Sequence, residues 1–141
     1  MIIIREAVNE DAVEIAKLSH QLGYTISAEQ TLQNIIALNQ SERHAVFVAV
    51  DEKVTGWIGV CYTISLESPP VCEINGLVVD EHNRSKGVAK LLIEKAKQWS
   101  RDKGVDKLRL RCNVKRTDTH NFYTHIGFTE VKQQKMFAIN I

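Results

Sequence analysis

The chain has almost no excess of either charge: 18 Lys and Arg stand against 17 Asp and Glu over 141 residues, for a net charge of +1. A balance that close provides no chain-wide field for nucleic acid or an anionic membrane, so any anion site has to be local. Long apolar runs are also missing. The longest, residues 45–50, is far too short to span a bilayer, and the opening Met-Ile-Ile-Ile meets Arg5 and Glu6 at once, with no secretory core or small-residue cleavage site. Cysteines are few. Cys61, Cys72 and Cys112 are odd in number, show no CxxC spacing and lie in apolar, strand-like stretches, which fits structural, reduced thiols in a cytosol rather than a disulfide framework. The five histidines, His20, His44, His82, His120 and His125, never fall at metal-ligand spacing with a cysteine or carboxylate, so no metal is expected. A cytoplasmic protein with no nucleic-acid or membrane partner is the expectation.

What remains is ordinary globular composition, 44% hydrophobic and 25% charged, in a length that buries roughly two thirds of its unfolded surface as one domain, residues 1–141. Residues 2–8 read as a first strand. Asn9 is a plausible helix cap, with Glu10 and Asp11 favouring the positive end of the helix that follows. Ala12, Val13, Ile15, Ala16, Leu18 and Leu22 recur at helical spacing up to Gly23. Ser27 with Gln30 makes a capping box for a second helix. The period then shortens: residues 44–51 and 54–65 are β-branched and aromatic runs joined at Asp51-Glu52-Lys53, a hairpin signal. Pro69 and Pro70 break the chain before a third strand, residues 71–80, interrupted by Gly76. Within a strand such a glycine marks a bulge or a close backbone approach, or is merely a weak residue. A long amphipathic helix runs through Trp99 to Gly104. Residues 108–112 form a half-buried strand, residues 117–126 a short helix stopped by Gly127, and residues 129–131 and 135–139 two final strands. The order is that of an α/β chain with a mixed sheet, and no repeat, linker or low-complexity segment appears.

The run "HNRSKGVAKLLIEKA", residues 82–96, contains the most telling absence. Between Asn83 and Leu92 there is no acid, while Arg84, Lys86 and Lys90 crowd the start of the long helix. The first amides of a helix have no intrahelical acceptor, and with the macrodipole they form a site for an anion, a phosphate above all. Gly87 admits a ligand to the backbone, Ala89 keeps the next turn small, and a carboxylate there would compete with the ligand. The spacing is neither GxxxxGK[ST] nor GxGxxG, which excludes a P-loop and a dinucleotide fingerprint. On loop chemistry alone, an ordinary helix start and an anion site remain equally open.

The surrounding blocks supply the context. Arg84-Ser85-Lys86-Gly87-Val88-Ala89 resembles the (Arg/Gln)-x-x-Gly-x-(Gly/Ala) motif of the GNAT superfamily of acyl-CoA-dependent N-acetyltransferases. The strand Glu73-Ile74-Asn75-Gly76-Leu77-Val78-Val79-Asp80 precedes it as in that family, and Phe122-Tyr123-Thr124-His125-Ile126-Gly127-Phe128 looks like the family's C-terminal F-Y-x-x-x-G-F block. The resemblance covers nearly the whole chain. It implies the GNAT fold, a mixed but mostly antiparallel sheet with splayed middle strands and flanking helices, and acetyl-CoA as donor of the transferred group. By the same resemblance the pyrophosphate falls to Arg84, Ser85, Lys86, Gly87, Val88 and Ala89. The pantetheine falls to the backbone of Leu77, Val78 and Val79, with an amide near Leu77 or Val78 polarising the thioester carbonyl.

Tyr123 corresponds to the tyrosine that protonates the departing thiolate or contacts its sulfur. The competing reading is an aromatic packed beside Phe122. Glu73 corresponds to the base glutamate of the histone-acetylating branch, or is a solvated charge at a strand end. The sequence departs from the family where an Asn-x-x-Ala is common: Arg116 and Thr119 stand there instead, and Asn113, slightly earlier, is the nearest cofactor-contacting candidate. Arg116 and His120 are placed to reach coenzyme A or the acceptor. The acceptor wall of the family maps to residues 22–31, with Tyr24 and Glu29, and Glu67 precedes the central strand; taken singly, each of these three reads as solvated surface. The activity implied is acetyl transfer to a primary amine, of a small molecule or alternatively of a protein lysine or N-terminus. A non-catalytic acyl-CoA-binding domain is the reading from another class, and a homodimer is an open possibility.

Overall fold

Continuous apolar stretches make the central sheet, and in the computed structural model residues 1–84, 86–112 and 114–141 are described. The elements are β1 (Ile3–Glu6), a 3-10 turn (Asn9–Asp11), α1 (Ala12–His20), α2 (Ala28–Asn39), β2 (His44–Asp51), β3 (Lys53–Ser65), β4 (Ser68–Val79), a second 3-10 turn (Glu81–Asn83), α3 (Val88–Asp102), β5 (Leu108–Leu110) and α4 (Thr117–His125). The chain divides into two compact units, Met1–Leu110 and Arg111–Ile141.

The first unit holds the five-stranded sheet, ordered β1-β2-β3-β4-β5. The first three pairings are antiparallel, and β4 with β5 is parallel. No helix among the described residues is long and apolar enough to cross a membrane. Ala45, Val46, Phe47, Val48 and Ala49 of β2 are all buried, because both faces of the sheet are covered: α1 and α2 pack on one, and α3 crosses β2, β3 and β4 on the other. Ala7, Ala12, Ile15, Leu18, Ile35, Val46, Val48, Val54 and Val78 form one continuous core cluster, with Trp57 packed against it. Under α3, Gly56 is a spacing device. A methyl group there would stand 3.1 Å from Val88 Cγ1 and 3.2 Å from Leu92 Cδ1, so a Cβ would press α3 a few tenths of an ångström away from β3.

Several sequence expectations hold in altered form. Asn9, expected as the helix cap, opens a 3-10 turn, and the N-cap of α1 is Asp11 instead; the Asp11 carboxylate accepts from the Val8 N–H at 2.8 Å and is gripped by Arg5 at 2.8 and 3.0 Å. Half of the Ser27–Gln30 box forms. Ser27 Oγ accepts from the Gln30 N–H at 3.0 Å, but the Gln30 side chain turns to Asn34. The hairpin at Asp51-Glu52-Lys53 is present, with Glu52 at φ 65°. Pro69 and Pro70 do not break the chain: β4 starts at Ser68 and pairs back to Ser65. Prolines are tolerated there because β5 reaches only Cys72, Glu73 and Ile74, so the two missing N–H donors interrupt no ladder on that side.

The second unit begins past β5. Its helix α4 ends in a Schellman closure: Gly127 takes φ 109°, its N–H donates to Thr124 O at 3.2 Å, and the Phe128 N–H reaches back to Tyr123 O at 2.9 Å. The final strands expected over residues 129–131 and 135–139 are absent, and residues 128–141 are irregular. Val131, Met136, Phe137 and Ile139 are each more than four fifths exposed. β-branched and aromatic residues favour a strand through packing on a partner, and no described strand pairs with this segment.

The Arg5–Asp11 grip gives a checkable stability term. Burial pushes the Asp11 carboxyl up, but the hydrogen bonds from Arg5 and Val8 and the Arg5 charge together hold it below the ordinary carboxylate range. A carboxyl so depressed adds stability above its unfolded value of about 4, and that stability is lost as pH falls through the folded value. Asp11→Ala is therefore expected to cost about 2 kcal/mol at pH 7 and distinctly less at pH 3. Urea unfolding at the two pH values measures it, and an equal penalty at both would remove the ion pair as the cause.

Candidate active site

The site is organised by one irregularity in β4. Gly76 pairs with Gly59 and Ile74 with Val60, so Asn75 is an extra residue, a β-bulge. Two glycines make room for it. A Cβ on Gly59 would meet Asn75 Oδ1 at 2.4 Å, and one on Gly76 would meet the Trp57 ring at 2.5 Å. The bulge expected near Gly76 thus falls on its neighbour, and Gly76 instead provides the space that the indole fills.

Beyond the bulge β4 parts from β5, whose pairing ends at Ile74. The Asp80 N–H donates to Thr55 O at 2.8 Å, toward β3. Two-residue alternation turns the Val78 amide the same way and the Leu77 and Val79 amides outward, onto the edge that β5 has left. Of the two amides considered for polarising a thioester, Leu77 is the one with the right direction. Val78 contributes a buried side chain to the core instead.

The loop after β4 is set by Asp80, whose side chain is nearly fully buried and accepts from the His82 N–H at 3.2 Å and from Asn83 at 3.2 Å. Gly87, at φ 81° and ψ 9°, is the N-cap of α3; among the described residues no side chain caps the helix, and its first turn holds no acid. The first ladder bond joins the Leu91 N–H to Gly87 O, which leaves the amides before it without an acceptor inside the helix. Around Gly87 no described residue lies within 4 Å of where a Cβ would sit. Arg84 and Lys86 are exposed beside this opening, Ala89 is half-buried, and Val88 is buried and anchors the helix on the sheet. Ser85 and Asn113, both expected to contact the cofactor, lie outside the described residues.

Glu73 lies below the bulge, opposite Cys61 on β3 and Arg109 on β5. Arg109 Nε donates to its Oε1 at 2.8 Å, with the Glu73 side chain only 17% exposed. The sequence reading missed this partner. Its signal was available in the alternation of Arg109 with apolar neighbours, but parallel register is not written in local sequence. Tyr123, on α4, packs edge-on to Phe128 at 5.7 Å and tilted to Phe122 at 5.6 Å. Burial, and then Cys112, raise its phenol above the ordinary range against an opposing pull from Arg116. Arg116 is the N-cap of α4, and the His120 N–H bonds its carbonyl at 3.1 Å. Tyr24, Glu29 and Glu67 are exposed. Among the described residues no three His, Cys, Asp or Glu side chains cluster to hold a metal.

An uncapped helix start facing open space, set after a strand that splays from its neighbour, has the chemistry of an anion site. Residues 9–128 match the acetyltransferase (GNAT) family, and the chain belongs to it; it is an acetyl-CoA-dependent N-acetyltransferase. An uncharacterized N-acetyltransferase of Bacillus subtilis, YhdJ, is 29% identical over 85% of this chain and 86% of its own length. The type 1 aminoglycoside N(6')-acetyltransferase of Stenotrophomonas maltophilia is 28% identical over 96% and 92%. In fold, the aminoglycoside N-acetyltransferase AAC(6')-Iy, solved with coenzyme A, superposes with a TM-score of 0.88 over 100% of this chain and 96% of that one, at 21% identity.

Proposed function

We propose that all 141 residues act as one catalytic domain that moves acetyl from acetyl-CoA to a primary amine of a small molecule, by direct attack within a ternary complex. The observation that carries this reading is the acid-free, uncapped start of α3 directly after the unpaired edge of β4. Phosphates would be held by the amides of Gly87, Val88 and Ala89, with Arg84, Ser85 and Lys86 supplying hydroxyl and charge. The outward Leu77 and Val79 amides would run along the pantetheine, with the Leu77 N–H donating to the thioester oxygen as it becomes an oxyanion, a contribution of roughly 3–4 kcal/mol in acyl transfer. Asn113 is kept as a further contact to the cofactor. A small-molecule acceptor is supported by the aminoglycoside-modifying relative that aligns along nearly the whole chain.

Attack requires a neutral amine, whereas alkyl ammonium groups have pKa values near ~10. We assign Glu73 to take the proton, directly or through water, with Arg109 fixing the carboxylate's orientation. As carbon–nitrogen bond formation expels the thiolate, Tyr123 donates from its hydroxyl to the sulfur. Exposed Val131, Met136, Phe137 and Ile139 support a homodimer in which a second copy covers them. Light scattering on the eluting protein is expected to return twice the monomer mass, and a monomer at micromolar concentration would dismiss that pairing.

The cofactor loop is tested by Gly87→Glu beside Gly87→Asn. Asparagine tolerates the left-handed backbone and costs little, whereas glutamate adds bulk and a negative charge where the pyrophosphate sits. Calorimetry is expected to show coenzyme A affinity reduced by orders of magnitude in the glutamate variant and nearly kept in the asparagine one. Unchanged affinity in folded Gly87→Glu would refute the loop. The wild type, assayed for thiol release across aminoglycosides, polyamines, amino acids and peptides, is expected to turn over a small polyamine or amino sugar; activity confined to peptides would overturn the acceptor class.

The two proton-transfer assignments separate by pH. Tyr123→Phe keeps the ring packing, so the fold should survive while kcat falls about 10²-fold and acetyl-CoA affinity changes little. Glu73→Gln should lower kcat at neutral pH and recover as the amine deprotonates at higher pH. A Tyr123→Phe enzyme with wild-type kcat, or a Glu73→Gln profile superposing on the wild type, would strike the corresponding residue from the mechanism.

A further inference from the structure

The end of α1 is tied to the segment that enters the cofactor loop by one side chain outside the catalytic groups. Gln21, the C-cap of α1, uses both ends of its amide. Its Nε2 donates to Asp80 Oδ1 at 3.3 Å, and its Oε1 accepts from the Glu81 N–H at 2.9 Å. Asp80 is the fixed point of that junction, because its carboxylate also receives the His82 N–H and Asn83 Nδ2 and has Lys53 of the β2–β3 hairpin 3.9 Å away. On the other side of Gln21, the α1–α2 connection is pinned to the same helix end. His20 Nε2 lies 2.7 Å from Ile26 O, and the Tyr24 N–H donates to Ser19 O at 3.3 Å. Gln21 therefore bridges the helix end that holds residues 22–27 to residues 80–83. Nothing about an α1 of this length requires it, since Gln21 is exposed and its neighbours already close the helix.

We propose that Gln21 is a positioning residue that presets the backbone entering the cofactor loop and couples that loop to the α1–α2 connection, so that occupancy of one stiffens the other. The inference rests on the assignment of residues 84–89 to coenzyme A. A paired glutamine aligns the Asp80 carboxylate and the Glu81 amide at once, which takes conformational freedom out of the 3-10 turn before the ligand arrives. Its removal leaves the turn free to sample other arrangements, and coenzyme A then has to order it on binding. The effect belongs in cofactor affinity rather than in the chemical step, because Gln21 touches none of the groups assigned to proton transfer.

Gln21→Met keeps length and shape and removes both hydrogen bonds. Gln21→Glu keeps the acceptor for Glu81 but sets a carboxylate against Asp80. Coenzyme A calorimetry and acetyl-CoA kinetics on the full chain are expected to show Kd and KM raised about fivefold in the methionine variant and further in the glutamate variant. In both, kcat should stay within twofold and the melting temperature should change little. Amide hydrogen exchange gives the coupling readout: coenzyme A should slow exchange in residues 22–27 of the wild type and not in Gln21→Met. Wild-type affinity in both variants overturns the proposal, as does protection of residues 22–27 that is absent from the wild type or persists without Gln21. A wild type that binds no coenzyme A would instead refute the loop assignment itself, so the two failures are distinguishable.

Discussion

One extra residue in β4 sets the geometry of everything around it. Asn75 has no partner of its own on β3, and its side chain occupies the volume that a Cβ on Gly59 would need, while Trp57 lies over Gly76. The insertion reverses the alternation of the strand. Cys72 and Ile74 are buried before it and Val78 after it, so hydrophobic residues on both sides reach a core although the strand changes face between them. The same kink carries β4 away from β5. A β4 that stayed beside a longer β5 would consume the Leu77 and Val79 amides in an ordinary ladder, and the middle of the sheet would have no open edge there. An unpaired strand edge is normally a liability for aggregation. Here it is the feature that a pantetheine arm, itself a chain of amides, is suited to satisfy.

The helix that follows is placed by packing and left uncapped by composition. Val88, Leu92, Ile93 and Ala96 are each at most 2% exposed, and at about 1.5–3 kcal/mol for a fully buried aliphatic chain they hold α3 firmly without help from a side-chain cap. That surplus matters, because a Ser, Thr or Asp at the cap would stabilise the helix start by roughly 1 kcal/mol but occupy the amides an anion needs. Glycine in the left-handed conformation at residue 87 forgoes that gain and keeps the opening clear. A chain with a net charge of +1 can therefore still present a locally positive site, since the cations and the helix dipole converge there and acids are withheld.

The elements that were legible in sequence are those whose period and end signals agree: α1, the Ser27 cap, the hairpin at Glu52, α3 up to Gly104 and the Gly127 stop. Local signals failed where the outcome depended on neighbours distant in sequence. Pro69 and Pro70 read as a break, yet a strand flank with no ladder on one side admits them. The apolar residues beyond Thr129 read as strand, yet no described partner pairs with them. The Glu73–Arg109 pair and the Gln21 bridge were illegible for the same reason, because parallel register and loop docking bring together residues that share no local pattern. The F-Y-x-x-x-G-F block was legible for a mixed reason. Tyr123 and Phe128 are the two ends of a Schellman closure around Gly127, and their rings meet as that motif favours. The block therefore has a structural use that needs the ring of Tyr123, while its hydroxyl is left for chemistry.

That separation bears on what the hydroxyl does in the proposed reaction. A phenol raised above its ordinary range stays protonated throughout the pH range in which an amine acceptor begins to lose its proton, so the donor is always loaded. The same shift makes complete transfer to a thiolate uphill, since an alkyl thiol titrates near ~8.5, well below a phenol near ~10. Tyr123 is therefore suited to stabilise negative charge on sulfur while the carbon–sulfur bond breaks, by a hydrogen bond that strengthens toward the transition state. For Glu73 the constraint is geometric: Arg109 Nε holds its Oε1 at 2.8 Å, so in the proposed reaction the carboxylate would be oriented in advance for the proton that the attacking nitrogen loses as the new bond forms. In the proposed reaction both groups would act on charge that exists only in mid-reaction.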